Sequence, residues 1–273
     1  MADGVSEETV RSLEAHARAA RHAVLRMSRS ARRPPGRSLA VCDLLAALCV
    51  HELRVAPDRV HDPTRDRLVL ADPDATPALY AVLAQRGFLP PDELAEYGRL
   101  GSRLPLRADR LRLPGIEVSA AAPGLGIGVA VGLALGARLG PATYRTYALM
   151  GDEDRRAAAT WAALSAAGHL RLSDLLVIAE GPAPRDAGSE AERLRALGYS
   201  VREIDGHDPR SIVSAFEEAR RTREGPTFLS ARTVLGRGAS PFEGVEGTAD
   251  RPPTDEEFAR ALTELPGPPG GAG

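Results

Sequence analysis

The chain has 273 residues, 43% hydrophobic, 26% charged and only 4% aromatic, with a formal net charge of -2. That length and apolar content suit one large α/β domain whose core is built mainly from Ala, Leu and Val. The charge balance gives no electrostatic case for nucleic acid or a membrane surface, no apolar run reaches spanning length, and the N-terminus lacks the apolar centre of a secretory leader, so a cytoplasmic protein is expected.

In chain order, residues 5–29 read as an amphipathic helix with Val10, Leu13, Ala17, Val24 and Leu25 as its apolar stripe. Arg32-Arg33-Pro34-Pro35-Gly36 breaks it. A second helix is predicted over 38–53, with Ser38 as N-cap and Leu39, Leu44, Leu45 and Leu48 turned inward. Cys42 and Cys49 share a face of that helix and read as buried free thiols rather than a metal site or a bridge. Residues 66–70 form a short strand, 76–86 a helix ended by Gly87, and Asp92 caps the next helix. Residues 99–113 are loop-like and basic. A Gly-rich helix spans 124–139. Strands are predicted at 144–150, 175–179, 199–204 and 227–232, and helices at 155–169, 189–197 and 209–223. Strands alternating with helices imply a parallel sheet covered on both faces. The tail from Pro266 is rich in Pro and Gly and is expected to be disordered.

Lys and Asn are absent, Gln85 is the only Gln, and all 35 basic residues are Arg. A GC-rich coding bias accounts for the trend, and it leaves no Asn side chain to act as a ligand.

The densest signal lies between Pro114 and Trp161. A turn containing Gly124, Gly126 and Gly128 opens a helix of small residues, and the apolar run Tyr147 to Met150 ends in Gly151-Asp152. A carboxylate just past the C-terminal end of a buried strand is where open α/β sheets place ligand chemistry. Other phrases flank it in order: Ser38-Leu39 with Asp43-Leu44-Leu45-Ala46, Asp66-Arg67 with Leu68-Val69-Leu70, Pro77-Ala78-Leu79-Tyr80-Ala81, Leu100-Gly101-Ser102-Arg103-Leu104, Pro114-Gly115-Ile116-Glu117-Val118-Ser119, Ile204-Asp205-Gly206-His207-Asp208 and Ala231-Arg232-Thr233-Val234.

In these phrases the chain resembles the N-terminal, thiamine-diphosphate-binding half of transketolases, over about residues 20–262. Residues 1–19 then form a helical lead-in and 263–273 a flexible tail. The resemblance implies a three-layer α/β fold, a parallel sheet with helices on both faces. It also implies the small subunit of a split, two-chain transketolase. Its partner would be a transketolase C-terminal-like chain, whose carboxylate activates the aminopyrimidine, and the pair would itself dimerise in the manner of the family. Thiamine diphosphate would sit between the two chains, with its diphosphate held here through Mg²⁺ or Ca²⁺. By the same resemblance Gly124, Gly126, Gly151 and Glu153 lie beside the diphosphate, and Asp152 is both a cofactor contact and the metal ligand.

The match breaks at the positions that carry the family's chemistry. The metal motif is Gly-Asp-Gly in the family, and its third residue here is Glu153, which adds bulk and negative charge opposite an anion. The family's second ligand is an Asn after the next strand, and Pro182 is nearest that place. The segment from there to Gly198 is shorter by roughly ten residues. Glu153, Asp154 and Glu180 are the candidate substitute ligands.

The family's sugar-site histidines are replaced by Arg33-Pro34-Pro35, Asp72-Pro73-Asp74, Leu106-Arg107-Ala108 and the stretch around Val245-Glu246-Gly247, and Ala157 and Ala162 stand where the family has Glu. His207 matches, and reads as part of a helix-start turn capped by Asp208. His16, His22, His51, His61 and His169 fall elsewhere.

No catalytic residue is therefore assigned to this chain, and a scaffolding or pseudo-enzymatic subunit is expected. The alternative is an active thiamine-diphosphate-dependent ketol or acyl transferase subunit of specialised metabolism with a rebuilt metal site. In that case Arg33, Arg37, Arg103, Arg107 and Arg237 are candidate anion contacts. A regulator of a genuine transketolase is the third reading. The Gly124–Gly140 segment suits either cofactor contact or close packing on the sheet.

Overall fold

The computed structural model describes residues 5–119, 122–141, 143–182, 187–245, 247–248, 251–265 and 267. Five parallel strands, β1 (Arg67–Leu70), β2 (Thr146–Met150), β3 (Leu175–Gly181), β4 (Ser200–Asp205) and β5 (Thr227–Arg232), pair in the order β1-β2-β3-β5-β4. β2 and β3 are buried along their whole length, as expected of strands covered on both faces. Side chains alternate between the faces. Leu68, Leu70, Tyr147, Leu149, Leu176, Ile178 and Leu229 enter one core cluster. Val69, Ala148, Met150, Val177, Ala179 and Phe228 enter the other.

The first cluster is covered by α1 (Glu7–Ala31), α3 (Cys42–Ala46), α4 (Thr76–Gln85), α9 (Pro209–Arg221) and α10 (Asp255–Glu264). The second is covered by α5 (Leu125–Leu139), α7 (Ala158–His169) and α8 (Ala187–Ala196). The three-layer α/β arrangement expected from the sequence is the one observed.

Side-chain caps fix several helix starts. Ser6 accepts from Thr9 N at the start of α1. Asp208 accepts from Arg210 N and Ser211 N at the start of α9, as the sequence predicts. Removing that cap with Asp208→Ala is expected to lower stability by about 1 kcal/mol, read as a lower thermal midpoint. Cys42 and Cys49 are buried and free, and burial pushes both thiols up to about 12.

Three expectations are corrected. The helix predicted over 38–53 is split into α2 (Gly36–Ala40), α3 and a π-helical turn, Ala47–Glu52. Val41, at φ -99° and ψ 1°, interrupts the helical backbone between α2 and α3. Ser38 lies inside α2, so it caps nothing; its hydroxyl donates to the Asp74 carbonyl at 2.8 Å. Asp92 does not cap a helix either: Pro90 opens a 3-10 turn, Pro91–Glu96, with no side-chain cap.

α10 is absent from the sequence reading, although its capping box was legible: Glu257 N donates to Thr254 Oγ1 and Thr254 N to Glu257 Oε2. Phe258 anchors it in the core against Phe242, ring centroids 5.8 Å apart. Apart from Gly267, the tail predicted to be disordered from Pro266 lies outside the described residues.

Candidate functional site

In a parallel sheet the carboxyl ends of the strands form the edge where ligands collect. Here β1 runs into Asp72, β2 into Gly151 and the short helix α6 (Asp152–Arg156), and β3 into Glu180-Gly181-Pro182. These turns carry most of the predicted site residues.

Asp154 organises the edge. It is 2% exposed, and its two carboxylate oxygens accept from Gly124 N at 2.7 Å and Gly151 N at 3.3 Å. One buried side chain thus ties the turn before α5 to the turn after β2. Gly124 has φ +83°, and a Cβ there would lie 2.9 Å from Thr160 N, so the glycine permits close contact with α7. Gly126 is buried within α5. The structure brings Gly124 and Gly151 together, and the group between them is Asp154.

The other carboxyls have separate commitments. Asp152 accepts from Arg156 Nη2 at 2.8 Å. Its Oδ1 is 3.6 Å from where a Cβ on Gly181 would stand, so it does face the end of β3. Glu153 is largely exposed and sits 3.7 Å from Arg37. Glu180 accepts from the Thr233 hydroxyl at 2.7 Å. Asp72 Oδ1 accepts from Asp74 N, whereas Oδ2 is buried with no hydrogen-bond partner.

A Cβ on Gly151 would lie 2.7 Å from Asp72 Oδ2 and 3.4 Å from Glu180 Oε1, so these two carboxyls converge over that glycine. Burial pushes Asp72 up to about 6 and Glu180 up to about 7, and the neighbouring Asp72 charge adds to the rise at Glu180. Asp154 is also raised by burial, against the pull of its two N–H donors.

Arg37 faces this group, 3.7 Å from Asp72, 3.9 Å from Asp74 and 3.7 Å from Glu153. Arg155 is buried behind it and donates to the Ala179 carbonyl and Ser230 Oγ, each at 3.0 Å. Among the described residues no three His, Cys, Asp or Glu side chains converge to hold a metal ion. The predicted substitutes Glu153, Asp154 and Glu180 are held by Arg37, by backbone N–H groups and by Thr233 respectively.

His207 is wholly engaged. Val234 N donates to its Nε2 at 2.8 Å, which leaves Nδ1 to donate to Asp43 at 2.8 Å. Asp43 also pairs with Arg21. The structural reading of His207 stands.

Next to the strand edge, a cavity of about 870 Å³ opens between the α1–α2 turn and the 98–112 loop, and no histidine lines it among the described residues. Of the candidate anion contacts, Arg33, Arg37 and Arg107 line it. Arg103 and Arg237 do not: Glu93 and Glu243 pair with them. Sequence reasoning missed Arg32, Arg99, Arg112 and Arg251, which also line the cavity. The basic run at 99–113 was the available signal.

Comparison with known proteins agrees with the fold. The family model "Transketolase, thiamine diphosphate binding domain" matches residues 15–266. The chain is 34% identical over 239 residues to the 6-deoxy-6-sulfo-D-fructose transketolase subunit SqwG of Clostridium sp. (strain MSTE9), covering 84% of this chain and 87% of that protein. It is 30% identical over 242 residues to an apulose-4-phosphate transketolase subunit of Phocaeicola vulgatus, covering 84% of this chain and 85% of that protein. Among solved structures, the transketolase of Campylobacter jejuni superposes with a TM-score of 0.86 at 27% identity, over 96% of this chain. This chain spans only 44% of that enzyme.

Proposed function

Because the chain belongs to the transketolase family of thiamine diphosphate binding domains, we propose that it is the small subunit of a cytoplasmic, two-chain transketolase-like assembly. Its partner is a chain resembling the C-terminal, pyrimidine-binding half. The two relatives above are named as subunits and match this chain over most of their length and its own, which supports the pairing. No described helix is long and apolar enough to cross a membrane.

We propose further that its own metal and diphosphate corner is degenerate and that the chain serves assembly. One observation carries this reading: Asp72 and Glu180 converge over Gly151, where an anion would have to dock. A diphosphate there would meet carboxyls rather than donors, and the one facing cation, Arg37, is shared among Asp72, Asp74 and Glu153. Asp152, Glu153 and the glycines 124, 126 and 151 are the residues nearest such a cofactor. They supply two outward carboxylates, Asp152 paired with Arg156 and Glu153 beside Arg37. These side chains do not fit a hard divalent cation, which needs several oxygens in fixed geometry.

The alternative, an active subunit with a rebuilt site, is favoured by one feature: Asp154 holds the Gly124 and Gly151 turns together, and Asp152 faces β3.

Titration calorimetry of thiamine diphosphate with Mg²⁺ separates the two. The chain is measured alone and co-expressed with its C-terminal-like partner, with Asp152→Ala as control. A stable complex without metal-dependent binding at Asp152 is expected. Saturable, metal-dependent binding abolished by Asp152→Ala would overturn the degenerate-site reading.

A further inference from the structure

At the amino edge of the sheet, opposite the candidate site, the residues just before β1, β2 and β3 are Asp66, Arg145 and Asp174. The parallel register sets them side by side, since Arg67 pairs with Thr146 and Thr146 with Leu175. A cavity of about 540 Å³ opens over this row, a volume within the range of small-molecule sites. We propose that it binds a small oxyanion, a phosphate or carboxylate group, received by Arg145, Arg220 and Arg223.

Four arginines and three carboxylates line the cavity among the described residues. Two of the carboxylates are fully used. Asp66, 2% exposed, accepts from the Arg54 backbone and guanidinium and from Arg145 N. Glu52 accepts from the Tyr147 hydroxyl at 2.6 Å and pairs with Arg220. That leaves Arg145 and Arg223 facing Asp174, at 3.8 and 3.9 Å, beyond hydrogen-bonding distance. Arg145 is largely buried and its Nε has no hydrogen-bond partner, while its Nη2 donates to the uncharged carbonyls of Ser173 and Ala219. A buried guanidinium without a closely held anion is costly, and an oxyanion in the cavity supplies one through charge-assisted hydrogen bonds.

The backbone adds a second, independent observation. Glu52 is the last residue of the π-helical turn Ala47–Glu52. That geometry is rare and recurs at functional sites. Here it delivers a carboxylate, its side chain 1% exposed, to Tyr147 on β2 and to Arg220 at the end of α9. Glu52 engages only Nη1 of Arg220, whose side chain stays 41% exposed at the cavity. The π turn thus fixes one guanidinium beside Arg145 and Arg223 with N–H groups to spare, the arrangement that grips an oxyanion from more than one side.

The test titrates the full chain calorimetrically with inorganic phosphate and with acetate, in metal-free buffer at matched ionic strength. Saturable binding of at least one is expected, and the tighter of the two assigns the ligand to the phosphate or the carboxylate class. Arg223→Ala should weaken it about tenfold. Asp174→Asn removes the competing carboxylate and should tighten it by about the same factor. The two side chains are 72% and 48% exposed, so neither change should move the thermal midpoint. Opposite shifts in two variants that melt alike cannot come from unfolding. Arg33→Ala, in the cavity at the carboxyl edge, should leave binding unchanged. No saturation, equal affinity in both amino-edge variants, or weakening by Arg33→Ala in place of Arg223→Ala would overturn the proposal. Binding here needs no metal and is indifferent to Asp152→Ala, so its failure is distinguishable from failure of the degenerate-site reading.

Discussion

Asp43→Ala is expected to destabilise the fold by about 3–5 kcal/mol, because it strips a buried cation of its partner. Asp43 and Arg21 are each 8% exposed, and the Asp43 carboxylate accepts from both Arg21 and His207. Burial alone would raise the Asp43 carboxyl. The hydrogen bond from His207 and the charge of Arg21 outweigh burial and hold the carboxyl below the usual range. The network joins α1, α3 and the turn after β4, and His207 extends it to Val234 after β5.

Without Asp43, Arg21 stays buried and uncompensated. Urea unfolding should show the full loss, and the thermal midpoint should fall by roughly 10 °C. A loss under about 1 kcal/mol would mean that Arg21 swings out to water. The folded-state carboxyl is depressed, so its stabilisation is present above the ordinary carboxylate range and is lost as pH falls through the folded value. His207→Ala should likewise cost stability, since both its ring nitrogens serve the scaffold.

Glu180→Gln is expected to stabilise the protein at pH 8 by about 3 kcal/mol. Burial, with Asp72 reinforcing it, pushes the Glu180 carboxyl from 4.5 to about 7, and the hydrogen bond from Thr233 and the charges of Arg37 and Arg155 only partly offset this. The folded state then holds a proton that the unfolded chain releases. Its contribution is complete below pH 4.5 and is lost as pH rises through about 7. Asp72, raised to about 6, adds to the same trend.

Wild-type melting should therefore drop between pH 5 and pH 8, and Glu180→Gln should flatten that profile. Destabilisation at pH 8 by Glu180→Gln would mean that the ionised carboxylate is needed there. That outcome would favour the rebuilt metal site over the degenerate one.

Much of the fold was legible because it rests on local signals. In β2, Tyr147 and Leu149 point to one core and Ala148 and Met150 to the other, and that alternation is readable in a four-residue window. Asp208 caps α9 within three residues of its partners. The break at Val41 was less legible, because a continuous apolar pattern hides a change from α to π geometry. At the site, the turn Gly151-Asp152 was readable as a position, whereas the state of its carboxyls was not.

The parallel sheet, its two covered faces and the family are legible in the sequence alone. Periodicity, glycine turns and ordered phrases are written in neighbouring residues. What each charge does is settled by long-range packing. Asp154 is claimed by a backbone N–H thirty residues away, Arg103 turns to Glu93, and Arg32 is left facing a cavity. With every basic residue an arginine, composition offers 35 equivalent guanidinium groups. Burial and distance, which exist only after the chain has folded, select among them.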